Sequence, residues 1–290
     1  MILREYSEQI PFTKDQNRSF RIVSILGLRR THLNNTVCKA VLRWLARAGV
    51  LPFQWVCGIT QHERFRVEID ESSFLYQFSG SDNIGELLYW RGLSQFDPAV
   101  MAKFAPLCRN ARLVLDVGAN TGLYSLAALS LNPACQVFAW EPFHGNYERL
   151  QANMEANGFT DRCTLRQEAA ASQSGMLPLY THENWAMHSA VFERGGPVTQ
   201  VAATSIDEVV PSGAPVDLVK IDVEGFEYDV LKGAVRVLRE AKPVLLIEIQ
   251  PEAPNAANTR ELLTNLGYTL NALDANANWI ALPQGAVPAA

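Results

Sequence analysis

The sequence predicts an α/β fold in which a doubly wound, mostly parallel sheet is covered by helices on both faces. From residue 111 onward, short apolar runs alternate with segments whose apolar residues recur at helical spacing, an order typical of repeated β-α units. The apolar runs are almost uninterrupted by polar residues, as expected for parallel strands buried on both faces. Of the 290 residues, 48% are hydrophobic and 19% are charged, so a disordered or low-complexity protein is excluded.

The amino-terminal part, residues 1–62, is expected to form a basic helical extension. Residues 16–62 contain seven basic and no acidic side chains, although the net charge of the whole chain is −5. Residues 36–50 are predicted to form an amphipathic helix with an apolar row and a basic row. The apolar row comprises Val37, Val41, Trp44, Leu45 and Ala48, and the basic row comprises Lys39, Arg43 and Arg47. Two interpretations stay open: the helix packs on the protein and leaves its basic face solvated, or it lies on an anionic membrane surface.

Residues 63–110 are predicted to form a hairpin and a helix that leads into the main domain. Residues 65–69 and 74–78 both alternate between apolar and polar side chains, and a short polar turn separates them. Asp97 and Pro98 then predict the start of a helix, as its N-cap and its first helical residue.

Residues 111–290 are predicted to form the main domain. Strands are expected at residues 113–117, 136–140, 163–167, 218–222 and 243–249, with a closing hairpin at 268–272 and 278–282. Helices are expected at residues 123–129, 146–157, 226–239 and 259–266. Ser205 and Glu208 have the spacing of a capping box and predict a further short helix.

A glycine-containing loop follows the first strand of this domain and reads Asp116-Val-Gly-Ala-Asn-Thr-Gly122. Glycine permits a tight turn and a close approach of the backbone to a ligand. The loop is not the dinucleotide fingerprint, because Asn120 and Leu123 occupy the second and third glycine positions of that motif. The acidic residue Asp116 before the loop favours a cationic ligand over a diphosphate.

Glu141 follows the second strand, where a carboxylate can accept hydrogen bonds from both hydroxyls of a ribose. Together with Asp116, it predicts a site for an adenosine that carries a positively charged amino-acid tail, which describes S-adenosylmethionine. The alternative is structural: Asp116 supports the glycine turn and Glu141 caps the next helix.

Acidic residues also follow the fourth and fifth strands. Asp222 and Glu224 could share a proton, orient a sugar or, together with Glu248, hold Mg²⁺, and any of these roles would serve methylation of a hydroxyl. His188, in a polar loop at residues 180–189, is a further candidate for the catalytic base.

Two segments, residues 114–122 and 218–227, resemble the FkbM family of S-adenosylmethionine-dependent methyltransferases, and the resemblance extends over about residues 65–282. It implies a class I methyltransferase (Rossmann-like) fold with a seven-stranded sheet whose last strand is antiparallel, and O-methylation of hydroxyls on macrolides, sugars or lipid-linked glycans. It also implies a set of site residues. The cofactor-binding residues would be Asp116, Gly118, Ala119, Asn120, Gly122, Glu141 and Glu168, while Asp222 and Glu224 would face the acceptor.

The expected function is therefore O-methylation of a hydroxyl, most readily that of a sugar in a glycan, a glycolipid or a related natural product. A catalytically inactive binding protein of the same fold is the alternative, and the missing glycine pattern disfavours an NAD-dependent oxidoreductase. The acidic remainder of the chain argues against nucleic acid as a partner. The five cysteines form no C-x-x-C pair, which favours a reducing compartment and a cytoplasmic location. In the membrane interpretation of the basic segment, the protein would also contact the inner membrane face. No transmembrane segment is predicted, since the longest uncharged stretch in the first half, residues 48–62, is shorter than the ~20 apolar residues required.

Overall fold

The computed structural model describes residues 36–56, 62–79, 82–180, 197–275 and 277–285. The chain divides into two compact units. One contains the described residues up to Val67 together with Tyr76–Pro98, and the other contains Glu68–Leu75 and the described residues from Ala99 onward.

The described part of the chain contains ten α-helices and twelve strands, and two single 3₁₀ turns. The helices are α1 (Thr36–Arg47), α2 (Phe53–Val56), α3 (Asn83–Arg91), α4 (Pro98–Cys108), α5 (Leu123–Leu131), α6 (His144–Asn157), α7 (Ile206–Val209), α8 (Glu227–Lys232), α9 (Val235–Glu240) and α10 (Ala256–Asn265). The strands are β1 (His62–Ile69), β2 (Ser72–Ser79), β3 (Leu113–Val117), β4 (Gln136–Trp140), β5 (Cys163–Arg166), β6 (Ala169–Ala170), β7 (Gly175–Tyr180), β8 (Val198–Thr204), β9 (Val216–Ile221), β10 (Val244–Glu248), β11 (Tyr268–Ala272) and β12 (Asn278–Pro283).

The second unit is built on a seven-stranded sheet with the order β11-β12-β10-β9-β3-β4-β5. Strands β10, β9, β3, β4 and β5 pair in parallel, and β12 is antiparallel to both of its neighbours. The predicted α/β class, the mostly parallel seven-stranded sheet and the antiparallel last strand are confirmed. The predicted hairpin at β1 and β2 is also present, as a two-stranded sheet.

Burial explains why the central strands read as continuous apolar runs. All five residues of β3 are buried, and four of them are aliphatic. Strands β9 and β10 contribute buried aliphatic side chains to the same hydrophobic core, which also takes residues from α8, α9 and α10. A strand buried on both faces has no polar side to present, so its sequence lacks the two-residue alternation of a half-exposed strand.

The single helix predicted over residues 226–239 is wrong, because the structure has two helices, α8 and α9, separated at Gly233. A Cβ on Gly233 would lie 1.9 Å from the carbonyl oxygen of Ala171, so glycine permits this close packing. The carboxylate of Asp207 accepts hydrogen bonds from the backbone N–H groups of Arg236 (2.8 Å) and Val237 (3.0 Å) and so caps the new start of α9.

Helix α3 and a three-stranded sheet were not predicted. Seven of the nine residues of α3 are buried, so the helix shows no polar face and no amphipathic period. The sheet has the order β6-β8-β7, and β7 carries Pro178, a residue that argues against a strand in sequence analysis.

Helix α4 begins at Pro98, as predicted, and buries Val100 and Phe104. Asp97 has a φ of 43°, in the left-handed region rather than in the extended conformation usual for an N-cap residue.

Helix α1 begins at Thr36, as predicted, but its apolar row does not face the protein. Leu42 and Ala46 are the buried residues of this helix. Val41 and Trp44, from the predicted apolar row, are exposed, Trp44 to 67%. The side of α1 that packs is thus rotated away from the predicted one.

Two members of the basic row of α1, Lys39 and Arg43, contact residues of their own unit, whereas Arg47 is exposed, so the basic face is only partly solvated. The ammonium of Lys39 forms an ion pair with Glu63. The guanidinium of Arg43 lies 5.1 Å from the centroid of the Tyr89 ring. A guanidinium over an aromatic ring forms a cation–π contact, and the methylene groups of a long basic side chain can cover apolar surface at the same time.

Among the residues that the structure describes, no helix is both long and apolar enough to cross a bilayer.

The orientation of α1 is testable by two single substitutions. Leu42→Ala removes a buried side chain and should lower the free energy of unfolding by about 2–5 kcal/mol. Trp44→Ala removes an exposed side chain and should change it by no more than about 0.5 kcal/mol. Urea denaturation followed by circular dichroism measures both values, and a larger loss for Trp44→Ala would contradict this orientation.

Candidate functional site

The predicted site residues meet at one edge of the seven-stranded sheet. Strands β10, β9, β3 and β4 are consecutive and parallel, so the segments that follow them all emerge at their carboxyl ends. Ligands of open α/β sheets bind at this edge. The glycine loop follows β3, Glu141 follows β4, Asp222 and Glu224 follow β9, and Glu248 ends β10.

The glycine loop packs directly against the segment that follows β9. Gly118 has a φ of 81°, and a Cβ at this position would lie 1.9 Å from the carbonyl oxygen of Asp222. The backbone N–H of Asp222 donates in turn to the carbonyl of Val117 at 3.0 Å. Gly122 has a φ of 89°, and a Cβ there would lie 2.5 Å from a methyl group of Leu150. Both glycines are therefore required by the backbone conformation and by the space available.

Glu141 is buried and holds the glycine loop against the start of α6. One carboxylate oxygen accepts from the backbone N–H of Asn120 at 2.9 Å, and the other accepts from that of Phe143 at 2.9 Å. Burial raises the pKa of Glu141 to about 7, although these N–H groups favour the ionised form. The structural role considered for Glu141 is thus present, and its contact with a ribose stays a prediction.

Asp116 supports the first turns of α5. Its side chain is almost fully buried, and one oxygen accepts from the hydroxyl of Ser125 at 2.6 Å. Burial raises the pKa of Asp116 to about 6, while the hydrogen bond from Ser125 and the charge of Lys220 oppose this rise. A contact between Asp116 and the methionine part of a cofactor stays a prediction.

Lys220 is a functional candidate that the sequence analysis missed. It lies in β9 beside Asp116 of β3, and its side chain is only 2% exposed. Its ammonium is 3.3 Å from the carboxylate of Asp222 and 5.0 Å from the centroid of the Tyr124 ring. The signal in the sequence was a lysine inside an otherwise apolar strand, because a buried lysine requires compensating charges.

Asp222 forms a hydrogen-bonded pair with Glu248, not with Glu224 as the sequence analysis considered. Burial and the adjacent charge of Asp222 hold the pKa of Glu248 well above its ordinary value. Burial also opposes ionisation of Asp222, but the ammonium of Lys220 and the hydrogen bond with Glu248 hold its pKa below the ordinary value. Of the two carboxyl groups, Glu248 is therefore the one that retains a proton to higher pH, and Asp222, whose side chain is 36% exposed, is the one that favours the ionised form.

Glu224 contacts Gln250 instead. The backbone of Glu224 has a φ of 53°, and its carboxylate accepts from the side-chain amide of Gln250 at 2.8 Å.

The three acids considered as Mg²⁺ ligands, Asp222, Glu224 and Glu248, do not fit a magnesium ion. Across the described ranges, no three His, Cys, Asp or Glu side chains are grouped so as to hold a metal ion. Mg²⁺ prefers ionised carboxylates, whereas burial raises the pKa of Glu248 and so disfavours its ionised form, and Asp222 already faces the ammonium of Lys220. The expected Mg²⁺ is thus not supported, and no step of the chemistry is derived through it.

The two remaining predicted residues are Glu168 and His188. Glu168 follows β5 and accepts two hydrogen bonds from the guanidinium of Arg166, at 2.8 and 3.0 Å. His188 lies outside the described residues. Both roles stay predictions.

Comparison with known proteins gives matches to methyltransferases. A family model for the FkbM methyltransferase domain matches residues 116–270. Methyltransferase sdnD from Sordaria araneosa is 30% identical over 153 residues, covering 41% of this chain and 59% of that protein. Methyltransferase 1 from Beauveria bassiana is 24% identical over 180 residues, covering 54% of this chain and 72% of that protein. The match to the first of these relatives thus spans about three fifths of its length.

Among solved structures, the methyltransferase FkbM from Methylobacillus flagellatus is 21% identical to this chain, with a TM-score of 0.45. The match covers 59% of this chain and 43% of the other.

The charge of Lys220 is expected to stabilise the fold. Lys220→Met should lower the free energy of unfolding by about 3 kcal/mol, because it leaves the carboxylates of Asp116 and Asp222 without their buried cation. Lys232 is a matched control, since its ammonium pairs with Asp229 at 2.9 Å and lies 5.1 Å from the ring of Tyr228, but its side chain is exposed.

Lys232→Met should cost no more than about 1 kcal/mol. Urea denaturation of the two variants measures the difference, and equal losses would refute the role of the buried charge.

The raised pKa of Glu141 predicts a pH dependence of stability. Because the folded pKa of about 7 exceeds the ordinary value of 4.5, the folded protein binds the extra proton, and its free energy of unfolding falls as the pH rises between these values. At ~1.4 kcal/mol per pKa unit, this fall is about 3 kcal/mol.

Glu141→Gln should remove the share of Glu141 from this fall, beside a pH-independent loss from the altered hydrogen bonds. Asp116, Glu227 and Glu248 should retain the remainder, because burial also raises their pKa values. Glu148→Gln changes an exposed residue of α6 and should leave the profile unchanged. Denaturation at a series of pH values distinguishes the two, and a full slope in Glu141→Gln would assign it to other groups.

Proposed function

The chain belongs to the FkbM methyltransferase family, and on this premise we propose that it is an S-adenosylmethionine-dependent O-methyltransferase. One observation carries the proposal: the glycine loop, the acid that follows β4 and an ionised carboxylate backed by a buried ammonium meet at the carboxyl edge of one sheet. This edge is where ligands of open α/β sheets bind.

The cofactor site fits an adenosine that carries a methionine tail. The carboxylate of Glu141 accepts backbone N–H groups from Asn120 and Phe143 and a side-chain hydrogen bond from Asn146, and two carboxylate oxygens together offer about four acceptor positions, so one is left for a ribose hydroxyl. The absence of side chains at Gly118 and Gly122 lets the loop pack directly against Asp222 and Leu150, which fixes the loop backbone at the ligand-binding edge of the sheet. In this proposal, the residues that line the methionine part are Asp116, Gly118, Ala119, Asn120 and Gly122, and Glu168 completes the cofactor site.

The acceptor chemistry follows from the charges around Asp222. When bound, S-adenosylmethionine supplies a methyl group on a positively charged sulfur. A hydroxyl is a poor acid, so a neighbouring base that removes its proton assists its attack on that methyl group. Asp222 is the candidate base, because the ammonium of Lys220 favours its ionised form, which is the form that can accept a proton. His188 is a second candidate for the base.

We assign the acceptor to the class of hydroxylated sugars, in a glycan, a glycolipid or a related natural product. Carboxylate oxygens at the site accept hydrogen bonds, and a sugar presents several donors. The basic residues of the amino-terminal segment would contact an anionic group of the acceptor or the inner membrane face, and the exposed Val41 and Trp44 of α1 are compatible with peripheral membrane contact. This proposal places the protein in the cytoplasm and assigns it no nucleic-acid partner.

Calorimetry with S-adenosylmethionine and S-adenosylhomocysteine tests the cofactor. Both ligands should bind to the wild type, NAD should not, and Glu141→Gln should weaken binding at least about tenfold, or ~1.4 kcal/mol, through lost contacts with the ribose. Glu148→Gln is the control and should bind as the wild type does. Thermal denaturation of each variant checks that the fold is retained.

Transfer of a labelled methyl group to a panel of glycans then tests the reaction. Methylated product should form and should disappear in Asp222→Asn. Tight cofactor binding without transfer to any hydroxylated acceptor would favour the catalytically inactive binding protein, and absence of cofactor binding would refute the proposed function.

A further inference from the structure

Gln250 lies beside the acidic group at the carboxyl edge of the sheet, and nothing above assigns it a role. It follows β10 two residues after Glu248 and is only 6% exposed. Its side-chain nitrogen donates to Glu224 at 2.8 Å and makes a longer contact of 3.4 Å with Glu248. The amide is thus held by two acidic residues.

These contacts fix which way the amide of Gln250 points. The NH₂ group is the donor end of the amide, and its nitrogen is the atom that contacts the carboxyl oxygens of Glu224 and Glu248. The carbonyl oxygen, Oε1, is then directed away from Glu224. This oxygen is buried, and among the residues that the structure describes none donates a hydrogen bond to it.

A buried carbonyl oxygen without a donor is unfavourable, and native proteins satisfy nearly all such groups. Asp222, which is hydrogen-bonded to Glu248, favours its ionised form, and an ionised carboxylate also accepts rather than donates. The local arrangement therefore has a surplus of acceptors. A ligand with several neighbouring hydroxyl groups supplies the missing donors.

The charge at this edge favours a neutral polyol over a cationic amine. The carboxylate of Asp222 is already paired with the ammonium of Lys220, and that of Glu224 accepts from the amide of Gln250, so neither requires a cationic ligand. Hydroxyl groups satisfy the acceptor oxygens without adding a charge to a buried site.

We propose that Gln250 binds and orients the methyl acceptor, its carbonyl oxygen accepting a hydrogen bond from one hydroxyl while Asp222 accepts from the neighbouring hydroxyl that is methylated. The inference rests on the proposed function and narrows the acceptor to molecules with at least two adjacent hydroxyl groups. Gln250 is thereby a specificity-determining residue, and Glu224 positions it through the amide nitrogen.

Saturation-transfer NMR on the full chain, saturated with S-adenosylhomocysteine, tests the inference. The probe is methyl α-D-glucopyranoside, with cyclohexanol as a ligand with one hydroxyl and ethylammonium as a cationic ligand. The wild type should give a signal for the glucoside that exceeds the signals for both controls. Gln250→Met, which keeps the length of the side chain but has no hydrogen-bonding amide, should reduce this signal at least about fivefold.

Two further variants keep the test independent of folding. Gln250→Asn retains an amide on a side chain that is shorter by one methylene group. The amide then no longer reaches the same position, so this variant should also reduce the signal. Gln151→Met alters an exposed glutamine of α6 that donates to Glu155 at 2.9 Å, and it should leave the signal unchanged. Calorimetry should give dissociation constants for S-adenosylhomocysteine within about twofold of the wild type for all three variants.

Each contrary result has a distinct meaning. Equal glucoside signals in the wild type and in Gln250→Met would overturn the role of Gln250. A response to cyclohexanol or ethylammonium as strong as that to the glucoside, or no glucoside signal in a wild type that binds S-adenosylhomocysteine, would overturn the polyol acceptor. A wild type that does not bind S-adenosylhomocysteine would instead refute the proposed function.

Discussion

The charge balance of the site depends on the buried ammonium of Lys220. Strand β9 carries this lysine beside Asp116 of β3, and the same ammonium contacts Asp222 just beyond the end of β9. Burial opposes ionisation of both carboxyl groups, and the charge of Lys220 opposes that effect in both. Of the two paired acids, Asp222 and Glu248, it is Glu248 whose pKa is raised and which therefore retains a proton to higher pH. Lys220 thereby affects both Asp116, which lies before the glycine loop, and Asp222, which is the candidate base.

The backbone brings these groups together through a close contact that only glycine allows. With no Cβ at Gly118, the loop after β3 touches the segment after β9 at Asp222, and Glu141 ties the same loop to the start of α6. The segments that follow β9, β3 and β4 are thus fixed relative to one another by contacts within the protein. Such preorganisation reduces the entropy that a ligand would otherwise lose in ordering the site.

The sequence predicted those parts of the fold in which local pattern and burial agree. Strand β3 was predicted at its observed bounds because a strand buried on both faces is a continuous apolar run. The orientation of α1 was not predicted, since its basic side chains pack on a glutamate and an aromatic ring, partners that its own sequence does not reveal. Acidic residues could be assigned to the sheet edge from strand order alone. The partner of Asp222 and the burial of Lys220 could not, because they depend on side-chain positions across three strands.

The double attachment of Glu141 has a consequence for redesigning this scaffold. In dinucleotide-binding folds, the acidic residue at this place bonds a ribose hydroxyl, and a nearby arginine accommodates a 2′-phosphate instead, so this part of the site determines which nucleotide is preferred. Here the same carboxylate also holds the backbone of Asn120 and Phe143. An exchange at position 141 would therefore loosen the loop that any replacement nucleotide needs, so nucleotide preference and local architecture cannot be engineered separately at this position.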